Sequence, residues 1–159
     1  MDDRSTGSSS AGDMPFTDAA RRLLADARTE SDRLRHEYVG TEHIALALAR
    51  QAGAAAALTC LGTDRERVRT LIEERLVPGQ ASPTPDVARP YTSRTQQAFA
   101  FAAASARAAG HAEVGVEHLL VGLLRERKNF GAQVLQHCGL TVDQAVAHVQ
   151  RLGTNSRPA

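Results

Sequence analysis

The sequence predicts an all-α protein made of two pseudo-symmetric four-helix repeats, about eight helices in all. Three observations predict this class: the halves of the chain repeat each other, apolar residues recur at helical spacing, and the apolar content is rich in alanine. Hydrophobic residues make up 42% of the 159 residues, aromatic residues only 4%, and Trp is absent. Alanine favours helix and lets helices approach closely. No segment is a convincing strand.

The internal duplication becomes visible when Phe16 is placed on Tyr91, an offset of 75 residues. At this offset the matched pairs are Thr17 and Thr92, His36 and His111, Val39-Gly40 and Val114-Gly115, Glu42-His43 and Glu117-His118, and Leu48 and Leu123. Further on the offset becomes 77, with Leu58 on Leu135 and Gly62 on Gly139. The first repeat is therefore two residues shorter in 50–54 than the second is in 125–131. Length changes of this kind belong in connections between helices.

The duplication and the prolines predict the organisation of the chain. We expect an unstructured tail over 1–15, a first repeat over 16–77, a linker over 78–90, a second repeat over 91–153 and a polar tail over 154–159. The linker holds four prolines in thirteen residues. Each proline removes an amide donor and restricts the residue before it, so no helix is expected there.

Four helices are predicted in each repeat, from capping residues, glycines and apolar spacing. The first runs from Thr17 to about Leu34 or starts at Thr92, the second opens at Thr41 or Val116, a short third stops at Gly62 or Gly139, and the fourth begins with a capping box at Thr63 or Thr141. The apolar positions expected in the core are Ala20, Leu23, Leu24, Ala27, Leu34, Ile44, Leu48, Leu58 and Leu61, and Phe99, Ala102, Ala103, Ala106, Leu119, Leu123, Val134 and Leu135.

Charge and apolar patterning disfavour two classes of partner. The formal net charge is +1, which gives no field to attract nucleic acid or an anionic membrane. No segment approaches the ~20 apolar residues of a membrane span, and residues 1–13 lack the apolar stretch of a signal peptide. We therefore expect a cytoplasmic protein, in which Cys60 and Cys138 are buried free thiols.

The motifs of common enzymes are absent, so the chain is not expected to be an enzyme or to hold a cofactor. The sequence has no phosphate-binding loop, no Gly-x-Ser-x-Gly and no His-Glu-x-x-His. His36 and His43 are seven residues apart, as are His111 and His118, but no cysteine or carboxylate cluster completes a metal site. Structural histidines at a helix start are the favoured interpretation. A metal-dependent hydrolase that uses them is a remote alternative.

Four residues at predicted helix starts have ordinary structural explanations. Glu42 and Glu117 lie in first turns, where a carboxylate interacts favourably with the helix dipole. Thr17 and Thr92 are candidate N-caps, each worth ~1 kcal/mol. Chemistry alone favours these structural roles over a binding role.

The same residues lie in segments that resemble a known family. Phe16-Thr17-Asp18-Ala19-Ala20 and Val39-Gly40-Thr41-Glu42-His43-Ile44, with His36 between them, are similar to the Clp N-terminal repeat. The second copy of that repeat is similar to three later segments: Tyr91-Thr92, Gly110-His111 and the run from Val114 to Glu126. The resemblance extends from about Phe16 to Gly153 and is closest to the ClpC branch of the AAA+ unfoldases. It implies an all-helical domain that receives substrates, adaptors and, in some bacteria, cyclic-peptide antibiotics.

In that family two related pockets recognise phosphorylated arginine. The resemblance places the pocket glutamates at Glu42 and Glu117 and the pocket threonines at Thr17 and Thr92, which we expect to pair within each repeat. Val116 replaces the usual threonine, and we expect it to remove a cap and weaken the second pocket. The family's ATPase modules have no counterpart up to residue 159, so a solitary or an excised domain is expected.

The resemblance thus implies a non-catalytic binding module of Clp protein quality control. It would capture phosphoarginine-bearing or unfolded protein substrates as an adaptor, a competitor or a sink for the unfoldase's own N-domain. The alternative is an interaction protein that docks on the unfoldase or protease components with degenerate pockets.

Overall fold

The computed structural model describes residues 10–11, 14–51, 57–81, 89–126 and 128–156. Within these ranges the chain forms eight helices, four in each repeat, which confirms the all-α prediction. They are α1 (Asp18–Arg33), α2 (Thr41–Arg50), α3 (57–60), α4 (Arg65–Arg75), α5 (Ser93–Ala108), α6 (Val116–Arg125), α7 (Phe130–His137) and α8 (Val142–Ser156). The two repeats therefore have the same element order.

Two short helices, α2 and α6, lie at the centre of the fold. Every residue over 43–49 of α2 and over 118–124 of α6 is buried. α1 packs on α2 and α5 packs on α6, while α7 also packs on α2 and so joins the repeats. Because a helix that is apolar on nearly all sides needs neighbours on all sides, each repeat supplies part of the other's cover. The buried apolar residues of both repeats form one continuous core.

The caps of the two long helices are as predicted. Thr17 Oγ1 accepts a hydrogen bond from Ala20 N at 3.1 Å, and Thr92 Oγ1 accepts one from Thr95 N at 3.1 Å. Each threonine thus satisfies one of the free amides at its helix start.

The start of α4 differs from the prediction, whereas the start of α8 agrees with it. Asp64, not Thr63, is the N-cap of α4, and its Oδ1 accepts from Glu66 N at 3.0 Å. Thr63 is buried beneath the turn. Before α8 the expected reciprocal pair is present: Thr141 N donates to Gln144 Oε1 at 2.9 Å, and Gln144 N donates to Thr141 Oγ1 at 3.2 Å.

Both ends of the described chain are more ordered than expected. Ser10–Ala11 pairs antiparallel with Met14–Pro15, so short strands occur where an unstructured tail and no strand were expected. Met14 is buried, because its side chain joins the core. At the other end α8 continues to Ser156, three residues into the expected tail.

The cysteine prediction was wrong about burial. Cys60 is exposed and Cys138 is only partly buried, and both are free thiols. Partial burial raises the pKa of Cys138, while the nearby charge of Arg67 lowers it and that of Asp64 raises it. The apolar residues around both cysteines led to the expectation of burial, but they do not determine the direction in which each side chain points.

The described part of the linker is irregular, as predicted, and its start is attached to the end of α1. Gly79 N donates to Leu34 O at 2.7 Å, and Ala81 N donates to Arg35 O at 2.9 Å. Residues 82–88, which include Pro83 and Pro85, lie outside the described residues. So do residues 52–56, which cover most of the segment where the first repeat is shorter.

Gly122 permits the close approach of α6 and α5. A Cβ on Gly122 would overlap the carbonyl oxygen of Ala98 and lie 3.0 Å from Ala102 N. We expect Gly122→Ala to lower the free energy of unfolding by about 1–3 kcal/mol, since overpacking against backbone outweighs the better helix propensity of alanine. Urea denaturation measures this, and a variant as stable as the wild type would contradict so close an approach.

Candidate functional site

The first candidate site lies where the two repeats meet before α5 and α2. Val39 and Tyr91 form a parallel bridge, in which Thr92 N donates to Val39 O at 3.1 Å and Val39 N donates to Pro90 O at 2.8 Å. The N-terminus of α5 is thereby held beside that of α2. We call the group formed by Gly40, Glu42, Tyr91 and Thr92 the Glu42 site.

An equivalent site lies before α1 and α6. Phe16 and Val114 form a parallel bridge, in which Thr17 N donates to Val114 O at 2.9 Å and Val114 N donates to Pro15 O at 2.8 Å. We call the group formed by Phe16, Thr17, Gly115 and Glu117 the Glu117 site.

These bridges show that the expected pairing within each repeat was wrong. α1 has 16 residues, so it is about 24 Å long, and it separates Thr17 from the start of α2. α5, also 16 residues long, separates Thr92 from the start of α6 in the same way. Thr92 of the second repeat therefore meets the Glu42 segment of the first. Thr17 of the first repeat meets the Glu117 segment of the second.

Glycine N-caps give the two carboxylates their position. A Cβ on Gly40 would lie 2.5 Å from Glu42 Oε1, and a Cβ on Gly115 would lie 2.9 Å from Glu117 Oε1. Each glutamate therefore folds back over the glycine that precedes its helix, and each is partly buried. Among the described residues, neither carboxylate has a hydrogen bond or an ion pair. Both remain available to a cationic group.

A pair of histidines supports the Glu42 site from beneath. Gly40 N donates to His43 Nδ1 at 2.8 Å, so His43 carries its proton on Nε2. That nitrogen lies 2.8 Å from His36 Nδ1, and His36 Nε2 lies 2.8 Å from Val77 O. His43 is neutral in this arrangement. Desolvation, reinforced by the proximity of His36, lowers the pKa of His43 to about 4.

The second repeat has the same histidine arrangement. Gly115 N donates to His118 Nδ1 at 2.8 Å, and His118 Nε2 lies 2.7 Å from His111 Nδ1. Burial lowers the pKa of His118, opposed by Glu117 and reinforced by His111. The histidines thus pack at a helix start, as predicted. Over the described ranges, no group of three or more His, Cys, Asp and Glu residues is arranged to hold a metal ion.

Val116 does not remove a cap, contrary to the expectation. The N-cap of α6 is Gly115 and that of α2 is Gly40, and in both helices the third residue, a histidine, bonds back to the cap. Val116 and its counterpart Thr41 are both buried first residues of their helices. The weakness that the sequence assigned to the Glu117 site therefore cannot come from capping.

The two sites differ in charge instead. Arg28 Nη2 donates to the Tyr91 hydroxyl at 3.2 Å, and its guanidinium lies 5.5 Å from the ring centroid, next to the Glu42 site. Arg28 Nε is buried, with no hydrogen-bond partner among the described residues. In the Glu117 site the corresponding residues are Ala103 and Phe16. The first turn of α5 has no acidic residue, whereas the first turn of α1 contains Asp18.

Sequence reasoning missed Arg28, Tyr91 and Tyr38 as residues of this region. Tyr38 stacks on His36 with ring centroids 5.7 Å apart, and it is 39% exposed. Partial burial and the charge of Glu42 raise its pKa. All three positions differ between the repeats, since the counterparts of these residues are Ala103, Phe16 and Glu113. A position-by-position comparison of the two repeats would have singled them out.

The chain matches known proteins along most of its length. The model of the Clp repeat (R) N-terminal domain matches residues 15–137 and 90–155. The chaperone protein ClpB of Oceanobacillus iheyensis is 37% identical over 91% of this chain and 18% of its own length. The Bacillus subtilis negative regulator of genetic competence ClpC/MecB is 38% identical over 88% of this chain and 17% of its own length. The chain thus spans less than a fifth of these relatives.

Solved structures have the same fold at low identity. The Hsp104 N-terminal domain of Candida albicans superposes with a TM-score of 0.70 at 15% identity, covering 89% of this chain and 93% of that one. The ClpD N-terminal domain of Arabidopsis thaliana gives 0.65 at 22% identity, covering 86% and 96%. Among the described residues, none of the helices combines the length and the apolar character that a membrane span requires. The chain belongs to the Clp repeat N-terminal domain family.

Proposed function

We propose that the chain is a non-catalytic receptor of the Clp system that captures protein segments carrying phosphorylated arginine, mainly at the Glu42 site. One observation carries the proposal: a partly buried carboxylate with no cationic partner among the described residues lies across from a helix N-terminus that has no acidic residue. Phosphoarginine joins a guanidinium to a phosphate, so its receptor needs an acceptor beside a group of donors.

Each half of the ligand has a partner in the Glu42 site. Glu42 would accept from the guanidinium in a charge-assisted pair. The phosphate would lie at the N-terminus of α5, where free amides donate and the Thr92 hydroxyl would exchange its contact with Thr95 Oγ1 for one with the phosphate. Arg28, which donates to the Tyr91 hydroxyl, would add a positive charge beside the site.

The Glu117 site is proposed to bind the same ligand more weakly. Asp18 would face the phosphate at the start of α1, although its ion pair with Arg21 reduces that repulsion. No arginine takes the place of Arg28, because the second repeat has Ala103 there. Thr17 and Glu117 still provide a donor and an acceptor.

In a cell, such a receptor would act as an adaptor, a competitor or a sink for the N-domain of a Clp unfoldase. Its clients would be phosphoarginine-bearing or unfolded proteins. The alternative is a protein that docks on the unfoldase with pockets that no longer bind ligand, and the same experiment separates the two.

The test is calorimetric titration of free phosphoarginine, with arginine and inorganic phosphate as separate controls. We expect one stronger and one weaker site for phosphoarginine, and much weaker binding of either control, because each control satisfies only half of a site. If the protein ignores phosphoarginine but still binds a Clp unfoldase, the docking alternative holds and the receptor proposal fails.

A further inference from the structure

A groove of about 630 Å³ lies on the second repeat and shares no lining residue with either site described above. It opens between α5, the end of α6 and the connection from α7 to α8. Its apolar lining consists of Phe101, Leu124, Leu140 and Val142. A volume of this size is typical of pockets that hold a peptide residue or a small ligand.

The groove is a property of the second repeat and does not follow from the duplication. The residues that correspond to Phe101 and Val142 in the first repeat are Asp26 and Arg65. Asp26 Oδ2 there accepts from Gln51 Nε2 at 2.9 Å, so that surface is polar and self-paired. The second repeat has replaced charged positions by apolar ones at the same place in the fold.

Arg125, on the rim of the groove, has none of the ion pairs that its counterpart in the first repeat forms, as far as the described residues show. In the first repeat Arg50 forms ion pairs with Glu30 at 3.6 Å and with Glu73 at 3.2 Å. Its counterpart is Arg125, which is exposed and has no ion pair among the described residues. The residues corresponding to the two glutamates are Ser105 and Gln150, which carry no charge.

An apolar floor beside one unpaired arginine is complementary to an apolar side chain beside one carboxylate. We propose that this groove binds the C-terminal residue of a partner polypeptide that ends in a large aliphatic side chain. Such a residue bears both groups on one Cα, so its side chain reaches the floor while its carboxylate meets Arg125. Gln136 on the rim provides a further amide donor. Asp143, exposed in the first turn of α8, disfavours a segment with additional carboxylates.

The test uses a fluorescein-labelled pentapeptide, Gly-Ser-Gly-Ala-Leu, with a free C-terminal carboxylate. Its controls are the same peptide as a C-terminal amide and a peptide in which serine replaces the leucine. Fluorescence anisotropy should show that the free acid binds more tightly than either control. Equal binding of acid and amide, or no binding of the acid, would overturn the proposal.

Two arginine variants make the test specific. Arg125→Gln should weaken binding of the free acid by about three- to tenfold, a modest factor because the pair is exposed to solvent, and leave binding of the amide unchanged. Arg75→Gln is the matched control, since Arg75 is also an exposed arginine in the last turn of its helix. A loss of affinity with Arg75→Gln equal to that with Arg125→Gln would also overturn the proposal.

The outcome is independent of the phosphoarginine proposal. The probe contains neither arginine nor phosphate, and Glu42→Ala should leave its affinity unchanged. A protein that binds the peptide but not phosphoarginine would retain this inference and lose the proposed function, and the reverse result would do the opposite.

Discussion

Glu42→Ala is expected to weaken phosphoarginine binding by about ten- to a hundredfold while the melting temperature changes little. The loss of a charge-assisted pair with the guanidinium costs roughly 1.5–3 kcal/mol of binding free energy. The same carboxylate contributes only about 0.3–1 kcal/mol to its helix, because it has no side-chain partner among the described residues. Calorimetric titration and thermal unfolding, measured on the same preparation, separate the two effects.

Glu117→Ala is the matched control within the chain. It removes the equivalent carboxylate from a site that has Asp18 in the first turn of α1 and Ala103 in place of Arg28, so we expect a smaller loss of affinity. A double substitution that binds phosphoarginine as well as the wild type does would show that both glutamates only stabilise helix starts.

Each site combines a threonine of one repeat with a glutamate of the other, and this crossed arrangement makes the test more specific. Thr92→Ala and Glu42→Ala should couple, because both residues would contact one ligand. Thr17→Ala and Glu42→Ala should be additive, since the length of α1 separates them. Coupling of the second pair instead of the first would restore the pairing within each repeat.

The free energy of unfolding is expected to fall as the pH drops below about 6.5, and His43 should account for much of the loss. The folded state lowers the pKa of His43 from 6.5 to about 4, so the unfolded chain binds the proton more readily between these values. The stabilisation is complete above pH 6.5 and is lost as the pH falls towards 4. By pH 5 this histidine alone should cost about 2 kcal/mol.

The structural reason is that the hydrogen bonds of His43 leave neither ring nitrogen free to take a second proton. Its Nδ1 already accepts from Gly40 N, and its Nε2 faces His36. Urea denaturation between pH 5 and 7.5 measures the effect above the range where carboxylates dominate. His43→Gln should reduce both the pH dependence and the stability at pH 7.5, and His118→Gln should reduce the dependence further. An unchanged slope in His43→Gln would contradict the assignment.

Much of the fold could be predicted because it depends on local rules. The hydroxyls of Thr17 and Thr92 cap their helices as expected, and the glycines Gly62 and Gly139 end theirs with positive φ values of 78° and 97°. Capping and left-handed backbone are satisfied within a few residues, so the sequence states them directly. The capping box at Thr63 failed for a local reason, since Asp64 is one residue closer to the helix and competes for the same amides.

The crossed arrangement of the sites could be predicted in part from the sequence. The predicted helix from Thr17 to Leu34 already implied a separation of about 25 Å between Thr17 and the start of the next helix. The sequence did not show which helix start lies beside Glu42 instead of that of Thr17. Duplicated motifs are identical in pattern whether they pair within a repeat or between repeats.

By itself, the sequence determined the helical class, the duplication and the order of the helices, while its resemblance to the Clp repeat proposed Thr17, Glu42, Thr92 and Glu117 as site residues. The tertiary structure alone decided that Thr92 lies beside the Glu42 segment and Thr17 beside the Glu117 segment, that Cys60 is exposed, and that Arg125, on the rim of an apolar groove, has no ion pair among the described residues. The physical reason is the separation along the chain between the residues in contact. Helix periodicity and capping involve residues within about four positions, whereas these contacts join residues that only the packing of one repeat against the other brings together.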